Sequence, residues 1–250
     1  MIATTFTLPA SHGRAGAGFS LIELAIAIFV ITLLLGGILV PLATQVEQRK
    51  ASETQKALDE IREALLGFAL VNGYLPCPDK TTSTGAGTQN DGQEDVTVAT
   101  GTCVTTEGNL PWVTLATASA DIWGNRFRYR VHGSFAQRSP ASLFTLTTTS
   151  NLQVCTTDAC TSFLTSGADG PPAIIVSHGK NGLGARNALT NVANPAPVSA
   201  DEIENSDGGT NFVSHAQSAA GSGAGEFDDI VTWISRNVLL NRMVTAGKLP

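Results

Sequence analysis

Gly18-Phe19-Ser20-Leu21-Ile22-Glu23-Leu24, with the uncharged run that follows it to Ala43, decides how this 250-residue chain is read. Leu24 to Ala43 is twenty residues without a charge. At about 1.5 Å per residue these reach roughly 30 Å, the thickness of a bilayer's hydrocarbon core. A charge at the centre of such a span costs on the order of 2.5–3.5 kcal/mol, less toward its edge, unless something pairs with it. Glu23 sits at the front edge. The segment therefore reads as a transmembrane helix carrying an acid that needs a partner. The plainer local reading is a carboxylate favoured in a first helical turn by the macrodipole.

Gly18-Phe19-Ser20-Leu21-Ile22-Glu23-Leu24 resembles the leader-peptidase site of type IV prepilins and type II secretion pseudopilins. The resemblance implies a cut after Gly18, N-methylation of Phe19, and pairing of Glu23 with the terminal amine of a neighbouring subunit. It also implies partners: other pilin or pseudopilin subunits, a prepilin peptidase and an inner-membrane assembly platform. A secretory signal peptide carries its apolar core before the cleavage site. Here the apolar run follows Gly18, so cleavage leaves it attached. The expected organisation is a leader over 1–18, a transmembrane and assembly helix over 19–45, and a periplasmic globular domain over 46–250. Gly36, Gly37 and Pro41 weaken the helix, because proline lacks an N–H and its ring crowds the carbonyl four residues back. In similar pilins this part of the segment melts locally in the filament; a harmless kink is the alternative.

Beyond Pro41 the helix is expected to run to Asn72-Gly73, with Leu58, Ile61, Leu65 and Phe68 forming one apolar stripe at helical spacing. Opposite charges at Arg49–Glu53 and Lys56–Glu60 are nearly cancelled by Asp59–Glu63, each pair being worth about 0.2–0.5 kcal/mol. The stripe must therefore pack on something, and a sheet is expected. The fold class is α+β: a pilin-like protein whose long, half-transmembrane N-terminal helix packs on an antiparallel β-sheet. Arg126-Phe127-Arg128-Tyr129-Arg130-Val131 alternates as a strand, with its arginines on a solvated outer face. Ser142 to Thr148, Ala173 to Ser177 and Asp229 to Ile234 are further strand candidates. A last helix is capped by Ser235 and stopped by Gly247. Residues 187–225, poor in apolar side chains, read as a loop insertion. Asp91, Glu94 and Asp95 read as a solvated loop.

The four cysteines Cys77, Cys103, Cys155 and Cys160 allow three connectivities, and an even count favours two disulfides in an oxidising compartment. Cys77–Cys103 and Cys155–Cys160 close the most local loops. Free buried thiols are the alternative. No Cys-x-x-Cys pair supports zinc.

Asp121 to Tyr129 resembles the Asp-x-Trp-Gly-Asn-x-(aromatic)-x-Tyr segment of major pseudopilins, and Ser177 to Gly182 resembles their Ser-x-Gly-x-Asp-Gly loop. In those proteins that loop and a later Asp-Ile segment help to bind calcium. The resemblance thus implies calcium at Asn181, Asp228 and Asp229, although Asn181 replaces the family's aspartate. Net charge is −6, which does not suggest a nucleic-acid partner. Neither a Gly-x-Ser-x-Gly elbow nor a phosphate loop is present, and an enzyme is not expected. The expected function is structural: a filament subunit assembled from the bacterial inner membrane, most like a type II secretion pseudopilin. A minor type IV pilin and a non-polymerising, membrane-tethered binding module are the alternatives.

Overall fold

The structure, a computed structural model, describes residues 18–139, 143–165, 169–223 and 225–249, leaving aside the side chains of residues 35–43. The leader before Gly18 and the side chain of Pro41 therefore lie outside the described residues. The backbone at Gly36, Gly37 and Pro41 is helical. The chain divides into two compact units, 1–48 and 49–250.

Helix α1 spans Leu21–Asn72. It begins with a capping box, a pattern in which a serine and a glutamate three residues on satisfy each other's backbone N–H groups. The Ser20 hydroxyl accepts from the Glu23 N–H at 3.2 Å, and Glu23 Oε2 accepts from the Ser20 N–H at 3.1 Å. Leu21 to Leu34 are exposed.

The expected half-transmembrane, pilin-like helix is corrected: among the described residues, no helix is long and apolar enough to cross a membrane. The α+β class with an antiparallel main sheet is as expected, and among the described residues the 49–250 unit holds two smaller sheets besides.

The remaining strands are β1 (Val96–Thr97), β2 (Thr102–Cys103), β3 (Glu107–Asn109), β4 (Arg128–Val131), β5 (Gln153–Cys155), β6 (Phe163–Thr165), β7 (Ala173–Ser177), β8 (Asn211–Val213) and β9 (Ile230–Ile234). Among the described residues, three further helices are α2 (Trp112–Leu115), α3 (Ala200–Glu204) and α4 (Arg236–Thr245), with a 3-10 turn at Gly133–Phe135. The main sheet is antiparallel, ordered β3-β4-β7-β9. A second sheet, β6-β5-β8, pairs β5 with β8 in parallel, and β1 with β2 forms a small ribbon.

Period-two alternation places the core. On β7, Ala173 and Ile175 join the cluster that contains Leu58, Ile61 and Leu65 of α1, together with Phe127, Tyr129 and Val131. Fully burying each such leucine or isoleucine contributes about 1.5–3 kcal/mol. The Tyr129 hydroxyl, inside this core, donates to the Pro76 carbonyl at 3.1 Å. Ile174 and Val176 point the other way, onto Leu152, Val154 and Phe212 of the second sheet's side. A strand buried on both faces reads as an unbroken apolar run, as β7 does.

Several expectations change in consequence. Arg128 and Arg130 lie directly across from Val176 and Ile174, on the face expected to be solvated. That face is covered: their side chains are only 21% and 18% exposed, and Glu107 on the neighbouring strand pairs with both. Residues 143–148 form no strand. Residues 187–225 hold α3 and β8, with Phe212 and Val213 buried. Asp95 is buried and accepts from the Lys80 N–H at 2.7 Å, while Glu94 accepts from the Cys77 N–H at 3.1 Å. These two acids tie down the long loop that was expected to be solvated.

Helix α4 follows Ser235 and packs Leu239, Leu240 and Met243 into the core. Arg242 pairs with Glu63 at 2.7 Å, holding that carboxyl below its ordinary value. Both partners are about half exposed, so the pair is screened by water. Arg242→Ala is expected to cost less than about 1 kcal/mol in a urea melt.

Cys77–Cys103 and Cys155–Cys160 are disulfides, with Cα atoms 5.2 and 5.1 Å apart. Bonded pairs persist where thiols are not kept reduced. They place this unit in an oxidising compartment.

Candidate metal centre

Three carboxylates from distant parts of the sequence meet where β7 ends and β9 begins. Glu202, Asp228 and Asp229 each present an oxygen within 4.8 Å of the others. Glu202 comes from α3, and the aspartates immediately precede β9. The turn after β7, His178 to Gly182, closes over them. Gly179 has φ +56°, and a Cβ there would run into Asp228, so only glycine lets this turn come so close.

The polar contacts are dense. The Asn181 N–H donates to Asp228 Oδ2 at 2.8 Å, and the Asp228 N–H donates to Glu202 Oε1 at 3.1 Å. The Asn205 amide donates to Asp229 Oδ2 at 2.9 Å. His178 is fully buried: Arg128 donates to its Nε2 at 3.2 Å, and its Nδ1 lies 3.4 Å from Asp229 Oδ1.

Burial makes three adjacent carboxylates expensive to ionise. Burial, then the neighbouring Asp229, pushes Glu202 up to about 7. Burial, partly offset by the Asn181 N–H, pushes Asp228 up to about 6.

The donor set suits a hard cation, which takes carboxylate and carbonyl oxygens. Asp228 Oδ1 and Asp229 Oδ1 are buried and accept no hydrogen bond, and a cation would satisfy both. Asn181 takes a different part from the one expected. Its Oδ1 accepts from the Leu183 N–H at 2.9 Å, and its Nδ2 donates to Glu202 at 3.1 Å. It is a donor that softens carboxylate repulsion. Glu202 takes the ligand position that sequence reasoning missed. The available signal was Ser199-Ala200-Asp201-Glu202, a helix-start pattern inside a stretch otherwise read as loop.

The other expected site residues lie elsewhere. Gly18, Phe19 and Glu23 belong to the 1–48 unit. Phe19 is exposed, and Gly18, Phe19 and Ser20 precede the helix in open backbone.

In comparisons with known proteins, no family model, curated protein or solved structure matches this chain.

Proposed function

We propose that the chain is a structural filament subunit, processed like a prepilin by cleavage after Gly18 and added to the filament from the bacterial inner membrane, with its larger unit in the oxidising space beyond. A type II secretion pseudopilin is the closest description. The observation that carries the reading is the start of α1. The Gly18–Phe19 bond lies in exposed, non-helical backbone, directly before a capped helix with Glu23 in its first turn.

Cleavage there would place an ammonium on Phe19 beside an apolar helix face. Glu23 spends only Oε2 on the capping box, which leaves Oε1 open to a cation on a neighbouring chain. Pairing the two relieves a cost that each would bear alone in apolar surroundings.

Intact mass of the mature protein tests this directly. The expected result is a chain beginning at Phe19 with one added methyl group and both disulfides closed. Glu23→Ala is expected to leave cleavage unchanged while filament incorporation is lost. An uncut chain, or normal incorporation of Glu23→Ala, sinks the reading.

A further inference from the structure

On the covered face of the main sheet lies a polar cavity of about 160 Å³, lined in part by Glu107, Asn109, Arg126, Arg128, His178 and Arg186. Its charges do not balance. The one carboxylate among its lining residues, Glu107, has both oxygens engaged, one by Arg128 and one by Arg130. Among the described residues, no carboxylate lies within ion-pair distance of Arg126 or Arg186.

These two arginines are held next to each other. The Arg126 N–H donates to the Arg186 carbonyl at 2.8 Å. Both guanidiniums converge on Asn191: Arg126 donates to its Oδ1 at 3.3 Å, and Arg186 donates to its carbonyl oxygen. Asn191 itself sits at φ +54°, an uncommon conformation for a side chain other than glycine. Arg126 is only 9% exposed and stacks on the Trp112 ring at 3.9 Å, and its Nε has no hydrogen-bond partner. Burial pulls the Arg126 guanidinium below its ordinary value, partly offset by the charge of Asp79. Asp79 is itself pushed up to about 6 by burial, which weakens it as a counter-ion.

Two adjacent guanidiniums in a polar cavity, in a protein of net charge −6, are the arrangement an anion completes. We propose that this cavity is a binding site for a small free oxyanion, a phosphate or a compact carboxylate, held by Arg126 and Arg186. Arg126 offers its unpartnered Nε–H, its Nη atoms already donating to the Ser119 and Ala188 carbonyls, and Arg186 adds a second planar fork. The volume admits an ion of that size, not a nucleotide.

The test is thermal melting of the full-length chain in chloride, inorganic phosphate and succinate at matched ionic strength, for the wild type and for Arg186→Gln. The wild type is expected to rise by roughly 3–6 °C once the anion reaches about ten times its Kd. Arg186→Gln is expected to lose at least about tenfold in phosphate affinity. In chloride alone it is expected to melt no lower than the wild type, because removing one of two unpaired cations offsets the lost bond to Asn191. A purely structural arginine would instead lower the melting temperature in every buffer, and that result overturns the proposal, as does a wild type indifferent to both anions. A wild-type melt that climbs with protein concentration in chloride and ignores added phosphate would assign the site to a carboxylate of a neighbouring copy. That outcome also overturns the free-ligand proposal. Arg126→Lys, which keeps the buried charge and removes the fork, is expected to weaken anion binding while the unit stays folded.

Discussion

Replacing Cys77 and Cys103 together by alanine is expected to destabilise the 49–250 unit by about 3–4 kcal/mol, lowering its melting temperature by roughly 7–14 °C. The bond closes a separation of 26 residues, and the loop entropy it removes from the unfolded chain is about 3.5 kcal/mol at that length. The loop it closes is held otherwise by side-chain hydrogen bonds, from Lys80 to the Gly85 and Ala86 carbonyls and from the Lys80 N–H to Asp95, rather than by regular structure. Residues 81–90 contain no strand or helix, and the ribbon of β1 and β2 is two residues per strand. Cys77 is fully buried in the main core, so its loss also removes packing. The Cys155–Cys160 pair, at a separation of 5, is expected to cost only about 2 kcal/mol. Denaturant melts of the two double variants, each against the wild type, check the ranking. Equal losses, or no loss at Cys77–Cys103, would contradict it.

The acidic cluster sets the second large effect. A carboxyl whose folded pKa is raised binds more protons in the folded than in the unfolded state. Its contribution to stability is therefore favourable at low pH and is lost as pH rises through the folded value. For Glu202 that window runs from its ordinary 4.5 to about 7. For Asp228 it runs from 3.8 to about 6. Between pH 5 and pH 7.5, Glu202 alone is expected to remove about 2–3 kcal/mol of stability. Asp79 has the same sign. His132, held neutral first by burial and then by Arg130, has the opposite sign and loses stability as pH falls through 6.5. Glu63, lowered by Arg242, acts below 4.5 and outside this window. The clean measurement is the difference between wild type and Glu202→Gln, which is expected to flatten the slope between pH 5 and 7.5.

A divalent cation acts on the same charges. Calcium at pH 7.5 is expected to raise the wild-type melting temperature by supplying the counter-charge that protons supply at pH 5, with stabilisation of about 2.7 kcal/mol at a hundred times its Kd. Glu202→Gln and Asp228→Asn are each expected to weaken that response. Melting that is indifferent to both calcium and chelator would remove the cation from the picture and leave a proton-linked cluster.

Much of the scaffold was legible in the chain. Leu58, Ile61 and Leu65 repeat at helical spacing and are the buried stripe of α1. Ala173 to Ser177 is a short β-branched run, and it is the central strand. Asn72-Gly73 ends α1, with Gly73 at φ +87°, and Gly247 follows the last helix at φ +68°. The cysteine pairing followed from loop lengths. Each of these rests on interactions between residues close in sequence.

Within the 49–250 unit, expectations failed where covering elements arrive from far away in sequence. Arg128 and Arg130 alternate as an outer face should, yet Glu107 and the loop after β7 cover them. Residues 187–225 look featureless because the apolar side chains that order them are few, and Phe212 finds its neighbours on β5 and β7. The capping box needs only Ser20 and Glu23, three residues apart at a helix start, and is therefore local to the sequence.

Local spacing alone sufficed for the helix, the central strands, the stops and the disulfides, because backbone periodicity and loop closure are written in neighbouring residues. Only the packing of the 49–250 unit brought Glu202 within reach of Asp228 and Asp229, and Arg126 beside Arg186. Buried like charges raise their own energy, and no local pattern announces them. They persist where the surrounding fold, rather than their own attraction, holds them together.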